Sequence, residues 1–351
     1  MSLGEIMPPS ALSAVEFACR MPKAELHVHI EGTLEPDLAF ALARRNGLTL
    51  PFANEEALHA AKAFTDLQSF LDLYYACADV LRTSHDFADL MLAYLGRAHA
   101  DGVVHAEIFF DPQTHTARGI PLAEVMAGLN AGRAEGMRRF GITSRLILCF
   151  LRHLSEEEAF ATLEAAQPFL DDIDGFGLDS SERDHPPTQF ARVFARVRAL
   201  GKRVVAHAGE EGPASYITEA LDVLGASRID HGVRAVEDPA LVRRLAADGV
   251  ALTVCPLSNV RLRVFPAMKD HTLPVLMAAG VRVTINSDDP AYFGGYMNDN
   301  IRAVHEAFGF DRATWAALAR NSLEASWAGA DDKARWIAAL EALAAAPNPG
   351  S

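Results

Sequence analysis

The chain has 351 residues, half of them hydrophobic, which is ample for a large core. Its 46 acidic against 32 basic residues give a formal net charge of −14, which repels nucleic acid and anionic membrane and leaves a small uncharged substrate open. No apolar run approaches the roughly 18 residues of a membrane span, no signal-peptide core opens the chain, and the four cysteines (Cys19, Cys77, Cys149, Cys255) form no C-x-x-C pair. These features predict buried thiols in a reducing cytoplasm.

In chain order, residues 1–20 read as an N-terminal extension and residues 21–345 as one domain, followed by a flexible tail, 346–351. Eight β-branched apolar runs alternate with helix-patterned segments: Ala24–Ile30, Val103–Phe110, Thr143–Leu151, Gly175–Ser180, Arg203–Gly209, Arg228–Val233, Ala251–Pro256 and Arg282–Ser287. Such alternation predicts a parallel sheet, and eight strands close the common (β/α)8 TIM barrel.

Helices are expected at Pro36–Asn46, at Ser155–Leu170 with a Ser155/Glu158 capping box, and at Pro187–Leu200 and Pro239–Asp248, each of the last two stopped by glycine. The gap Glu31–Gly102 is oversized and predicts a helical insertion after the first strand. Its residues from about 50 to 100, with Phe64, Phe70, Tyr74 and Tyr75, are placed as a lid. Extra helices over residues 298–345 complete the barrel.

Barrel active sites form where strands end. His27 and His29 end the first strand, two residues apart and therefore on one face. His207 and Glu210 end the fifth, His231 the sixth, and Asp288 with Asp289 follow the eighth. Three imidazoles (His27, His29, His207) and the Asp288 carboxylate suit one Zn2+ per chain, with Fe2+ or Mn2+ also compatible. A metal of this kind lowers the pKa of a bound water to about 7. Glu210, past the turn at Gly209, is placed to donate a proton, His231 to orient the nucleophile, and Asp289 to hold a ring nitrogen of a substrate.

Taken together, His27-Val28-His29-Ile30-Glu31-Gly32, Gly177-Leu178-Asp179, His207-Ala208-Gly209-Glu210, His231-Gly232, Cys255-Pro256-Leu257-Ser258-Asn259 and Asn286-Ser287-Asp288-Asp289-Pro290 resemble the adenosine/adenine deaminase family of the amidohydrolase superfamily. The resemblance implies a zinc-dependent purine deaminase of purine salvage, with Glu210 protonating N1, Asp289 accepting a hydrogen bond at the N7 side and the Gly177 N–H at N3. Glu31 and Ser180-Ser181-Glu182 stand where members acting on adenosine carry Asp and Leu-Ala-Gly, and both replacements resemble the adenine deaminase branch. They imply adenine as substrate, with Glu31, Ser181 or Glu182 accepting a bond from the N9–H that only a free base carries. Adenosine or an N6-substituted adenine stays open as substrate, as does a different class: another metal-dependent hydrolase or a non-catalytic purine-binding barrel. The oligomeric state is not legible in the sequence.

Overall fold

The computed structural model describes residues 12–345, apart from 63, 65 and 66. The calls on residues 1–11 and on the tail 346–351 lie outside the described residues. Eight parallel strands pair in sequence order: β1 (Lys23–His29), β2 (Val103–Phe110), β3 (Thr143–Leu151), β4 (Gly175–Asp179), β5 (Arg203–Ala208), β6 (Arg228–His231), β7 (Ala251–Val254) and β8 (Arg282–Ile285). The ring closes between β8 and β1. There the His29 N–H donates to the Asp288 carbonyl at 3.0 Å and the Asp288 N–H to the His27 carbonyl at 3.1 Å. The fold is the (β/α)8 barrel that the alternation predicts.

All eight expected strands form, but most stop one or two residues early, because the chain turns at once into its loop. Ile30 already has helical dihedrals and leads into a short 3-10 turn, Glu31–Thr33. The capping box of Ser155 and Glu158 is present, yet that helix ends at Ala165 and continues as a 3-10 segment, Gln167–Asp172. Pro168 is the reason, since it offers no N–H to an α-helical ladder. Pro239–Asp248 forms as expected and stops at left-handed Gly249.

The insertion divides into two parts. The helix Ser84–Ala100 is not part of a lid: it packs in the outer ring along the helix Leu122–Phe140. Gly128, Gly132 and Gly136 let the two approach so closely that a Cβ at Gly128 would sit 2.3 Å from the Ser84 carbonyl oxygen. The helix Leu67–Ala78 reaches the mouth of the barrel, where Phe70, Leu71, Tyr74 and Tyr75 line the pocket. Among the described residues no helix is long and apolar enough to cross a membrane, and the four cysteines are free.

The barrel interior is layered. At the N-terminal ends of the strands, Arg228 pairs with Glu107 and donates to the Leu26 carbonyl at 3.0 Å. The Trp327 ring covers the guanidinium groups of Arg203 and Arg228 at 5.0 and 5.1 Å. Burial raises the Glu107 carboxyl, but Arg228 and His105 outweigh it and hold it at about 2. Above this pair, Phe109, Ile147, Cys149 and Val205 form a dry layer. The imidazoles of His27 and His207 rest on Phe109, with ring centroids 4.9 and 5.5 Å away.

Removing one partner of the buried pair leaves the other charge uncompensated. Arg228→Met is expected to cost about 3–5 kcal/mol, and a further Glu107→Met to restore part of that. Urea unfolding midpoints check this; additive losses in the double variant would contradict the pairing.

Candidate active site

Ring closure brings the predicted ligands together. Ligand-type atoms of His27, His29, His207 and Asp288, all buried, lie within 4.8 Å of one another. The His27 and His29 Nε2 atoms are 3.3 and 3.5 Å from Asp288 Oδ1. His29 Nε2 and His207 Nε2 are 3.2 Å apart. Two nitrogens bound tetrahedrally to one Zn2+ sit about 3.3 Å apart, given Zn–N distances of about 2.0–2.1 Å. Buried His27 Nε2 has no hydrogen-bond partner, as expected of a lone pair reserved for a cation. The donor set therefore fits a divalent metal ion.

Outer groups hold these rings. Thr253 donates to Asp230 at 2.9 Å, so its oxygen is left to accept from His27 Nδ1, also at 2.9 Å. That fixes the tautomer with Nε2 bare, the arrangement that metal-binding histidines need. Asp179 stands on the same side of the His29 ring, with Oδ2 3.5 Å from Nδ1.

Strand alternation alone would aim His231 away from Asp230 and His207. His231 instead has φ of 63°, and this left-handed kink swings its ring inward, 5.0 Å from His207 between centroids. Asp288 is also left-handed, with φ of 66°, which lets adjacent Asp288 and Asp289 both face the pocket. His and Asp tolerate this region better than most residues. Gly32 leaves the room that Asp289 occupies: a Cβ there would lie 1.9 Å from Asp289 Oδ1.

Glu210 is fixed from both sides. Asn259 Nδ2 donates to its Oε1 at 2.9 Å and also approaches His231 Nδ1 at 3.3 Å. His231 Nδ1 thus accepts, and its Nε2–H points toward Asp288 Oδ2 at 3.8 Å and Glu210 Oε2 at 3.5 Å. Burial, then His27, lowers His231 to about 3, so the ring is neutral. Burial, then the charges of Asp288, Glu182 and Glu211, pushes Glu210 well above the carboxylate range. Asp288 goes the other way: burial raises it, but His27, His231 and His29 hold it well below its ordinary value. Burial, then Asp288, pushes Asp289 up.

The predicted ligands and the aromatic residues of the insertion meet in one pocket. It is lined by His29, His207, Glu210, His231, Asp288 and Asp289, with Phe70, Leu71, Tyr74 and Tyr75 as a roof. Phe64 supports that roof, its ring 5.4 Å from Phe70.

The structure moves four of the expected substrate contacts. Glu31 does not line the pocket. It is buried behind the wall, where Oε1 accepts from His115 Nε2 at 2.7 Å and from the Asp111 N–H at 3.2 Å. Glu182 is also withdrawn: its carboxylate accepts the N–H groups of Gly209, Glu210 and Gly212 at 3.0, 3.1 and 2.8 Å. It clamps the turn that presents Glu210. Ser181 is off the wall, and its neighbour Ser180 takes that place with φ of 72°. Gly177 sits within β4, opposite Cys149 in the dry layer, where a Cβ would meet Cys149 Sγ at 2.6 Å. Gly177 is not among the residues that line the pocket.

Asp111, Asp179 and Asn259 carry no expected role in the sequence reading. The rule that found the ligands also marks Asp111, the polar residue directly after β2, and Asp179, the last of β4. Asn259 has no such signal, since it lies in the helix Pro256–Arg261 that follows β7.

The adenosine deaminase family model matches residues 22–343. The adenine deaminase of Cupriavidus necator is 61% identical over 93% of each chain. The adenine deaminase of Arthrobacter aurescens, a crystal structure, superposes with a TM-score of 0.90 at 51% identity, over 92% of this chain and 98% of that one. A zinc-bound amidohydrolase of Burkholderia ambifaria superposes with a TM-score of 0.87 at 30% identity, over 98% of this chain and 96% of that one. The chain belongs to the adenosine deaminase family, on its adenine deaminase branch.

Proposed function

We propose that this protein hydrolyses adenine to hypoxanthine and ammonia. The observation that carries the reading is one pocket that joins a three-histidine, one-aspartate metal cluster to buried Glu210, whose carboxyl is pushed up by burial and by the acids around it. The adenine deaminases among its relatives supply the substrate. His27, His29, His207 and Asp288 hold the ion; Zn2+ fits best, and Fe2+ or Mn2+ would serve the same donor set. The bound ion supplies acidity, bringing a water within reach of ionisation near neutral pH.

The protein's own groups do the rest. Glu210 donates its proton to N1, which makes C6 electron-poor as the water adds. Neutral His231 donates its Nε2–H to the attacking oxygen and fixes its approach. Asp288 accepts the second hydrogen bond of that water. Asp289, protonated by its surroundings, donates to N7 or shares its proton there. The proton of the attacking water passes by way of Asp288 to the amino group, the C6–N bond breaks and ammonia leaves, and the C6 hydroxyl becomes the 6-oxo group as its proton returns to Glu210. The roof residues Phe70, Tyr74 and Tyr75 keep bulk water from the ring. The acidic charge accords with an enzyme of purine salvage acting on a small uncharged molecule in the cytoplasm.

A second reading has one observation in its favour. His29, Asp111 and Asp179 form another group of ligand-type atoms within 4.8 Å. A second ion there would match a two-metal hydrolase, since Asp179 ends β4.

An ultraviolet assay on adenine, adenosine and N6-substituted adenines tests the substrate. Adenine is expected to exceed adenosine in kcat/KM by orders of magnitude; a preference for adenosine would refute the assignment.

Glu210→Gln is expected to lower kcat by about 10²–10⁴-fold, the usual worth of a general acid. Elemental analysis should find one ion per chain before and after the substitution. Two ions per chain would favour the second reading.

Since Glu210 acts as an acid, kcat/KM holds below its pKa and falls as pH rises through it. Glu182→Gln removes a charge that raises that pKa, so the alkaline limb of the pH profile should move to lower pH. A limb that stays in place would detach it from Glu210.

A further inference from the structure

Once the reacting end of adenine is placed, the pocket still has a polar wall with no assigned task. This inference rests on the deaminase reading and asks which groups select the free base. With C6 between Asp288 and His231, Glu210 on the β5 side meets N1 and Asp289 on the β8 side meets N7. In a purine, N3 lies across the ring from C6, and N9 is attached beside it. The N3/N9 edge therefore turns to the remaining arc of the barrel mouth, the ends of β2, β3 and β4. In the pocket lining that arc carries Asp111, Leu151, Asp179 and Ser180. Leu151 has no polar group, and Ser180 Oγ is engaged with His153 Nδ1 at 2.8 Å.

Asp111 and Asp179 are 4% and 2% exposed. Neither Oδ1 is reached by an N–H or a hydroxyl of another residue, and the two carboxyls lie against each other, so that one proton shared between them leaves an acceptor oxygen for the cavity. Asp179 is already turned to the His29 ring through its other oxygen, at 3.5 Å. The second oxygen of Asp111 accepts from the Tyr74 hydroxyl of the roof, at 3.4 Å. An acceptor buried without a donor is costly, and a ligand N–H arriving there offsets that cost.

We infer that Asp111, with Asp179 behind it, accepts the N9–H of the bound base and thereby excludes nucleosides. A nucleoside replaces that hydrogen with a sugar carbon. It loses the bond and presses a ribose against two buried carboxyls under Tyr74. Glu31 has an indirect part, since it holds the Asp111 N–H and so fixes the wall from behind.

The test compares ligands that differ only at N9. In the wild type, kcat/KM for adenine should exceed that for 9-methyladenine by about 100-fold or more. Calorimetric binding of hypoxanthine and 9-methylhypoxanthine should show the same preference without turnover. In Asp111→Ala the preference should shrink to within about tenfold. The loss should fall on the N9–H ligands, with one ion per chain retained. Equal binding of the two hypoxanthines by the wild type would overturn the inference with no variant needed. So would an unchanged preference in Asp111→Ala, or a drop from two ions to one, which would make the aspartates cation ligands. Failure of the deaminase reading looks different: the wild type would then leave adenine unchanged.

Discussion

The closure of the barrel between its last and first strands is the constraint from which the site follows. The two hydrogen bonds that join β8 to β1 are made by the backbone of His27, His29 and Asp288 themselves. The same peptide groups that complete the ring therefore fix three of the four proposed ligands. Only His207 comes from elsewhere, and the Phe109 ring beneath sets its height. The register of β1 slips between Glu25 and Val28, where one more residue is used on β1 than on β2. Irregularities of this kind re-aim side chains beside active sites.

Around that closure, burial separates acids of the same kind into different states. Asp288, among three imidazoles, is held well below its ordinary value, whereas Glu210 and Asp289, buried and facing other acids, are pushed up. Groups with pKa values driven apart in one cavity divide into acid and base roles. Here the division is made by neighbours from five strands, and it needs no special residue type. The glutamate that carries the proposed proton is positioned by another glutamate, Glu182, through main-chain N–H groups.

The pocket also stores strain. Ser180, His231 and Asp288 adopt left-handed backbone at three strand ends. Conformations of this sort cost of order 1–3 kcal/mol each and persist only when the surroundings over-determine them. The salt-bridged floor of Glu107 and Arg228 and the dry layer above it supply that rigidity, well away from the reacting atoms.

By itself the sequence determined the eight strands, their order, the barrel and the residues Glu210, His231, His27, His29, His207, Asp288 and Asp289 as one cluster. These were legible because strand alternation and strand ends are local properties, and polar residues at the ends of apolar runs stand out. The tertiary structure alone decided which neighbouring residues face inward. Glu31, Ser181, Glu182 and Gly177 sit within or beside recognisable motifs, yet they turn to His115, to a loop, to a backbone turn and to Cys149. Asp111 and Asp179, which no expected role marked, take the wall instead. A motif records which residues are near the mouth, but whether a carboxylate meets the cavity or the backbone depends on φ at one turn and on partners from distant strands. That information is absent from any local stretch of chain.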